Sequence, residues 1–200
     1  RPRQKVIYLQ PFGSMQASRF SPMNFLGLLS DFTKAFYQLP IVTLPPGDLD
    51  SLPPGSFRTL GDSKKQFLTY PIMNQLRRSI PSDGYAIMGI TMADLFPGKG
   101  WNYVFGEAFP ERRIGVFSFA RSDPEFYDRV PGRIPAGELF ESAQTNFSLE
   151  CAKTLVHELG HLCGFEHCVY YRCVMNGANH GEESAEAPAL LCPVCLRKLH

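Results

Sequence analysis

The sequence predicts an α/β fold built on a mostly parallel sheet with one antiparallel edge strand. Through the first 120 residues, apolar runs of strand length alternate with segments of helical periodicity, which is typical of strands joined by crossover helices. Two later strand-like runs are separated by only about seven residues, too few for a parallel crossover. One of these two strands is therefore expected to pair in the antiparallel direction, at an edge of the sheet.

The first part of the chain contains two predicted strands and two predicted helices. Lys5–Leu9 is an apolar strand, and Pro11 and the glycine that follows are expected to end it. Met23–Tyr37 repeats its apolar side chains at helical spacing. A second strand is expected over Ile41–Leu44, and a second helix is expected to begin at Pro71, because proline suits the first turn of a helix.

The central strand of the sheet is predicted over Tyr85–Met92, after a turn at Asp83–Gly84. The two closely spaced strands are Asn102–Phe105 and Arg113–Phe119. Ser122–Gly137 is rich in proline, glycine and charge, which is typical of a long loop. These elements support one domain, because 200 residues with a hydrophobic share of 44% can bury a single core.

The last long helix is expected to begin near Thr145 or Asn146 and to bury one apolar stripe. The stripe consists of Leu149, Ala152, Leu155, Val156, Leu159 and Cys163. His157 and His161 lie off this stripe. The helix can therefore pack on the sheet while it presents both histidines to a cleft.

The strongest motif runs from His157 to His167 and predicts a metal site. His157 and His161 are four residues apart, so they lie on one helical face, one turn apart. Gly164 is expected to end the helix, since glycine tolerates the positive φ of a sharp helix end. The chain can then turn back and present His167 as a third ligand.

Three neutral histidines around zinc leave a fourth position open, as in catalytic zinc sites. Zinc lowers the pKa of bound water and polarises a carbonyl, and Glu158 is placed to act as the general base. The alternative is a solvated helix that carries these residues by coincidence. Gly164 and His167 at their fixed offsets favour the metal site.

The cysteines predict a second, structural zinc site. All six cysteines lie from Cys151 onward, and four of them have the spacing C-x4-C-x18-C-x2-C. Two close pairs joined by a loop suit a closed tetrahedral zinc site, which would supply folding energy to a segment with few apolar residues. The four predicted ligands are Cys168, Cys173, Cys192 and Cys195.

A disulfide framework is the alternative reading of these cysteines. Cys151 and Cys163 lie on one helix, at a rise of roughly 18 Å, which is too far for a bridge. In a disulfide-bonded protein these two cysteines would remain as free thiols while the other four formed disulfides. We therefore favour a reduced, intracellular protein in which Cys151 and Cys163 pack in the core.

Composition argues against two classes of partner. The net charge of +1 gives no electrostatic case for binding nucleic acid or an anionic membrane. No apolar run approaches the roughly twenty residues that span a bilayer.

The motifs resemble a known family. The His-Glu-x-x-His-x-x-Gly-x-x-His pattern followed by Met175 resembles the metzincin zinc peptidases. The archaemetzincins are the closer match, since His167 is followed at once by Cys168, then by Cys173 and by the terminal Cys192-Pro-Val-Cys195. These motifs cover about residues 150–198.

The resemblance implies a metzincin-like catalytic domain with a twisted, mixed sheet and two zinc ions. It implies an upper subdomain over residues 1–164, which carries the sheet and the active-site helix, and a small zinc-stabilised lower subdomain over residues 165–200. It also implies that an antiparallel edge strand binds the substrate backbone, with Asn102–Gly106 as the candidate. The expected protein is a monomeric aminopeptidase on small peptides in the cytoplasm or nucleus, with a peptide or protein as substrate.

Two positions qualify the resemblance. Met175 would be the methionine of the turn beneath the metal, although its spacing also suits a plain core methionine. Some metzincins carry a tyrosine two residues after that methionine, and here Gly177 occupies the position. No oxyanion-stabilising residue besides zinc is therefore assigned. Asn179 and His180 lie nearby in the sequence and are interpreted as surface residues.

Two functions of different class remain open from the sequence. The first is a zinc peptidase, and the second is a non-catalytic, zinc-stabilised interaction module. An intact Glu158 favours the peptidase, because a scaffold has no need for a base at that position. Two zinc ions per chain would support the peptidase and one would support the module.

Overall fold

A computed structural model describes residues 5–61, 64–126, 138–178, 183 and 186–199. Within these ranges the chain forms eight strands, four α-helices and a short 3₁₀ turn at residues 120–122. No helix in the described ranges is both long enough and apolar enough to cross a bilayer. The elements are β1 Val6–Phe12, α1 Phe25–Tyr37, β2 Ile41–Thr43, β3 Phe57–Thr59, β4 Lys65–Leu68, α2 Thr69–Ser79, β5 Gly84–Thr91, β6 Asp94–Phe96, β7 Gly106–Phe109, β8 Ile114–Ser118, α3 Glu138–Leu162 and α4 Pro193–Leu199.

The predicted α/β fold is confirmed. Five strands form the main sheet in the order β2-β1-β5-β8-β7, and β1, β2, β5 and β8 pair in parallel. Strand β7 pairs with β8 in the antiparallel direction and lies at the edge. The short connection between β7 and β8 permits only this direction, as the sequence indicated.

The inner strands of the main sheet, β1, β5 and β8, are buried on both faces, which explains why they are largely apolar. Ile7 and Leu9 of β1 point into a core shared with α1 and α3. Tyr8 and Phe12 point to the opposite face, into a second core shared with α2. Alternate residues of one strand thus place α3 on one face of the sheet and α2 on the other.

The predicted strand over Asn102–Phe105 is wrong. The edge strand begins at Gly106, and the preceding segment makes one isolated bridge, from Val104 to Leu95. The Arg58 guanidinium donates hydrogen bonds to the carbonyls of Trp101 (2.9 Å) and Asn102 (2.7 Å). The Arg58 side chain therefore binds backbone carbonyls that, in a strand, would accept hydrogen bonds from a neighbouring strand.

A second, three-stranded sheet was not predicted from the sequence. Its order is β3-β4-β6, with β3 and β4 antiparallel and β4 and β6 parallel. These strands have only three or four residues, and β4 reads Lys-Gln-Phe-Leu, so no apolar run or clear alternation marks them. Helix α2 follows β4 directly and begins at Thr69, two residues before the predicted Pro71.

Helix α3 is longer than predicted. It runs from Glu138 in the described chain, so it begins upstream of Thr145. The predicted Ser122–Gly137 loop begins in the 3₁₀ turn, and residues 127–137 lie outside the described residues. Leu149 was assigned to the apolar stripe, but it is 44% exposed, while Phe147 and Cys151 are buried.

A buried ion pair joins the small sheet to the end of β8. Arg121 donates two hydrogen bonds of 2.8 Å to the carboxylate of Asp94, and these side chains are only 10% and 5% exposed. The guanidinium also lies 3.5 Å from the ring centroid of Tyr103. Gln66 donates a further hydrogen bond to Asp94 at 2.7 Å.

Replacing Arg121 should destabilise the fold strongly, because the Asp94 carboxylate would remain buried without its cation. For Arg121→Leu we expect the free energy of unfolding to fall by about 3–5 kcal/mol in urea titrations. Lys65→Ala is the matched control, since Lys65 pairs at 2.8 Å with an Asp50 side chain that is 77% exposed. It should cost at most about 1 kcal/mol. Equal losses in both variants would contradict this account of the Asp94 pair.

Candidate metal centres

The structure brings the three predicted histidines together. The Nε2 atoms of His157 and His161 lie 3.1 Å apart. One ring nitrogen from each of His157, His161 and His167 falls within 4.8 Å of the others. Three nitrogens at about 2.1 Å from one zinc in tetrahedral geometry would lie about 3.4 Å apart, so this cluster has the size of a zinc site.

Backbone carbonyls fix the tautomers of two of these histidines. His157 Nδ1 lies 2.7 Å from the carbonyl oxygen of Val174, and His161 Nδ1 lies 2.8 Å from that of Phe165. A carbonyl oxygen only accepts hydrogen bonds, so both Nδ1 atoms must carry the proton. The two Nε2 lone pairs are then free to bind a metal ion.

Gly164 produces the turn that returns the third histidine. Its φ is +89°, and it donates a hydrogen bond of 3.0 Å to the carbonyl of His161. Phe165 donates a hydrogen bond of 3.0 Å to the carbonyl of Gly160, which completes a Schellman end to α3. This helix end also directs the carbonyl of Phe165 back to His161, so one glycine positions two of the three ligands.

Burial changes the pKa values of the histidines and of Glu158 in directions that favour metal binding and base catalysis. Burial lowers the pKa of His157 to about 4, and it also lowers the pKa of His161. Both side chains are therefore neutral at pH 7 and can donate their Nε2 lone pairs. Burial raises the pKa of the Glu158 carboxyl to about 7, which brings this group into the range of a general base at neutral pH.

The residues that follow His167 pack closely against this cluster. Met175 is fully buried, and its Cε lies 2.9 Å from the position that a Cβ on Gly160 would occupy. Gly177 lies against His167, since a Cβ there would be 3.0 Å from the Nδ1 of that histidine. The absence of side chains at both glycines lets the turn approach the histidines.

The four predicted cysteines also converge, and none of them forms a disulfide. Cys168 and Cys192 have their Sγ atoms 3.7 Å apart. Thiolates at about 2.3 Å from one zinc would lie about 3.8 Å apart, whereas bonded sulfurs lie at about 2.05 Å. The spacing therefore fits a shared metal, and all four side chains are buried. Backbone N–H groups of Cys192 and Cys195 approach the sulfurs of Cys173 (3.3 Å) and Cys192 (3.4 Å).

The other two cysteines lie apart from this cluster. Cys151 is fully buried in the core beneath α3, as the sequence predicted. Cys163 is partly buried at the end of α3, where it packs against the same core. Burial raises the pKa of both thiols, so they remain protonated at neutral pH.

Sequence reasoning missed the groups that hold the histidines in place. The carbonyls of Val174 and Phe165 are backbone groups, so no side-chain pattern predicts their role. The helix end at Gly164 was the only sequence signal for the carbonyl of Phe165. Asn176 was also missed, although its amide hydrogen-bonds to three neighbouring residues. Asn179 and His180 lie outside the described residues.

The fold and the site together define a class of protein. A long helix on an α/β sheet presents two histidines and a carboxylate, and a glycine turn returns a third histidine to them. This is the arrangement of zinc metallopeptidases.

Comparisons with known proteins identify the family within that class. The model of Peptidase family M54 matches residues 69–200. The chain is 36% identical over 214 residues to rat archaemetzincin-2, and 33% identical over 214 residues to human archaemetzincin-1. These alignments cover 99% and 98% of the chain, but only 59% and 42% of the two relatives. The chain therefore belongs to peptidase family M54, the archaemetzincins.

Solved structures share the fold. Archaemetzincin from Methanopyrus kandleri matches with a TM-score of 0.68 at 24% identity, over 100% of this chain and 95% of the other. A zinc-dependent peptidase from Methanocorpusculum labreanum also matches with a TM-score of 0.68, at 21% identity, over 97% of this chain and all of the other.

Gly160→Ala tests the close approach of Met175 to α3. Alanine stabilises an ordinary helix position by about 1 kcal/mol relative to glycine. Here the added Cβ would displace Met175, and we expect a net loss of about 1–3 kcal/mol in the free energy of unfolding. Gly98→Ala is the control, because a Cβ at Gly98 meets no atom within 4 Å. A Gly160→Ala protein more stable than the parent would contradict the packing described here.

Proposed function

We propose that this chain hydrolyses peptide bonds with two zinc ions. A catalytic zinc would be held by the Nε2 atoms of three histidines, and a structural zinc by four cysteines. The observation that carries the proposal is the convergence of three imidazoles, two of which donate their Nδ1 protons to backbone carbonyls. The proposed ligands are His157, His161 and His167 for the first ion and Cys168, Cys173, Cys192 and Cys195 for the second.

The donor sets suit these two roles. Three neutral imidazoles leave room for a fourth ligand, whereas four buried thiols form a closed set. When bound, the catalytic zinc would lower the pKa of water and polarise the peptide carbonyl. The histidines would supply fixed geometry, and the carbonyls of Val174 and Phe165 would keep their rings in orientation.

Glu158 would be the catalytic base. Glu158 directly follows His157 on α3 and is partly buried, and the proposal places its carboxylate beside the histidine cluster. It would take the proton from the attacking water and then deliver it to the nitrogen of the leaving amine. Burial raises its pKa to about 7, which makes the protonated form accessible for that second step.

The substrate backbone would bind along β7. This strand lies at the end of the main sheet and packs against α3, whose last turns carry the histidines. A peptide that adds to the outer side of Gly106–Phe109 would be held in an extended form beside the site. We therefore move the proposed substrate strand from Asn102–Gly106 to Gly106–Phe109.

The finer assignments rest on the family resemblance. We propose an aminopeptidase that acts on small peptides as a monomer in the cytoplasm or nucleus. The six free cysteines support a reducing compartment. The division into an upper subdomain over residues 1–164 and a lower one over residues 165–200 is likewise proposed, with Gly164 as its boundary.

Glu158→Gln tests the catalytic assignment. The amide keeps the shape of the carboxylate but cannot take a proton, so hydrolysis of a peptide library should fall by at least about 100-fold. Zinc content, measured by mass spectrometry, should stay equal to that of the parent.

Glu166→Gln is the matched control for this experiment, because Glu166 is an exposed carboxylate between His161 and His167. It should retain full activity. Undiminished hydrolysis by a zinc-loaded Glu158→Gln protein would show that the mechanism is wrongly assigned. A parent protein that binds zinc only through its cysteines would instead support a non-catalytic, zinc-stabilised interaction module.

The dependence of activity on pH should report Glu158. The base acts only when ionised, so kcat/KM should fall as the pH drops through its pKa. That pKa is about 7 in the metal-free site, and a bound dication lowers it. We expect the acid limb to lie between about pH 5 and 7. Burial lowers the pKa of His157 to about 4 and also lowers that of His161, which favours zinc over protons at these two ligands. An acid limb that coincides with zinc loss would contradict the assignment to Glu158.

A further inference from the structure

Three consecutive residues connect the two proposed metal sites. The thiol of Cys173 belongs to the cysteine cluster. The carbonyl of Val174 accepts the hydrogen bond from His157 Nδ1 at 2.7 Å. Met175 packs beneath α3 at Gly160. The tautomer and orientation of His157 thus depend on a segment that begins at a cysteine of the other site.

The side chain of Asn176 holds this segment in place. Its Oδ1 accepts a hydrogen bond from the backbone N–H of Cys173 at 2.8 Å. Its Nδ2 donates hydrogen bonds to the carbonyls of Cys168 at 2.7 Å and Tyr171 at 2.9 Å. Backbone hydrogen bonds add further links, from the N–H of Cys168 to the carbonyl of Met175 (2.8 Å), from Val174 to Leu190 (2.8 Å) and from Asn176 to Cys173 (3.0 Å).

We propose that Asn176 is a positioning residue that couples the two sites, so that a metal ion on the four cysteines strengthens metal binding by the three histidines. The inference rests on the two-metal arrangement proposed above. A metal ion at the cysteines fixes Cys168 and Cys173 relative to each other. The amide of Asn176 bonds to the backbone of both residues and thereby sets the position of Val174.

The small number of buried side chains in this segment explains why metal binding at the cysteines should strengthen metal binding at the histidines. Among the described residues between His167 and α4, the buried side chains are those of the cysteines, Val174 and Met175. Metal binding at the cysteines would therefore supply much of the energy that orders it. A disordered segment withdraws the carbonyl of Val174 from His157, and loss of such a partner weakens metal binding by about 10–100-fold. Because coupling between binding sites is reciprocal, the histidine site should strengthen the cysteine site by the same factor.

The experiment measures metal affinity at the histidine site with the cysteine site filled and with it disabled by Cys192→Ser and Cys195→Ser, because Co²⁺ itself binds free thiols. Cd²⁺ prefers thiolate ligands and fills the cysteine site first, which thiolate-to-metal absorption confirms. Co²⁺ is then titrated, and its visible absorption with nitrogen ligands reports the histidine site. Asn176→Ala removes the coupling side chain.

Gln66→Ala is the matched control. The Gln66 amide also makes three hydrogen bonds, to Arg58, Asp94 and the carbonyl of Asn102, in the small sheet. Its loss lowers stability without touching either metal cluster.

In the parent protein and in Gln66→Ala, one equivalent of Cd²⁺ should strengthen Co²⁺ binding at the histidines by about 10–100-fold relative to the same protein with the serine-disabled cysteine site. In Asn176→Ala the enhancement should fall to less than about threefold. An enhancement that survives in Asn176→Ala, or one that is lost equally in Gln66→Ala, would overturn the role of Asn176.

The parent protein and its cysteine-to-serine form decide whether the sites are coupled, even if Asn176→Ala does not fold. Equal Co²⁺ affinities at the histidines with the cysteine site filled and with it disabled by serine would overturn the proposal. Because the readout is metal binding, it is independent of catalysis. A coupled protein that hydrolyses no peptide would refute the proposed peptidase function and leave the coupling intact.

Discussion

The candidate site depends on two hydrogen bonds from imidazole rings to backbone carbonyls. Val174 and Phe165 accept the Nδ1 protons of His157 and His161, and this fixes which nitrogen of each ring faces the shared centre. Without these acceptors each ring would be free to rotate or to change tautomer, and two histidines one turn apart would be common helix-surface residues. The remaining local features, above all the glycine end of α3 and the turn at Met175, serve to deliver these two carbonyls.

The fold supplies a rigid platform for that arrangement. Helix α3 buries its apolar face against β5, β7 and β8, so its last turns are held in place from the sheet side. Tyr37 at the end of α1 adds a second support, because its hydroxyl donates a hydrogen bond to the carbonyl of Val156. Among the described residues beyond Gly164, the buried side chains are those of Val174, Met175 and four cysteines, and they join the core beneath α3. One side of the histidine site is thus held by the sheet and α1, and the other side is formed by the segment that carries the four clustered cysteines.

The sequence predicted the elements with a periodic apolar pattern and the motifs of candidate ligands. It did not predict the elements that depend on residues distant in the sequence. The parallel sheet, the edge position of an antiparallel strand and the two groups of candidate metal ligands follow from apolar periodicity and ligand spacing. The small sheet did not, since Lys65–Leu68 has no strand-like pattern and is defined by its pairing with β3 and β6. The segment before Gly106 looked like a strand, but Arg58, distant in sequence, takes up its carbonyls. Val174 and Asn176 act through backbone contacts, which side-chain patterns do not record.

The most direct test of this account is a crystal structure of the zinc-loaded chain, with anomalous diffraction recorded at the zinc absorption edge. The account predicts two zinc peaks, one among the four cysteine sulfurs and one bonded to the Nε2 atoms of His157, His161 and His167, with the Nδ1 contacts to Val174 and Phe165 preserved. A single peak at the cysteines, or histidines bonded to zinc through Nδ1 with those carbonyl contacts broken, would contradict it.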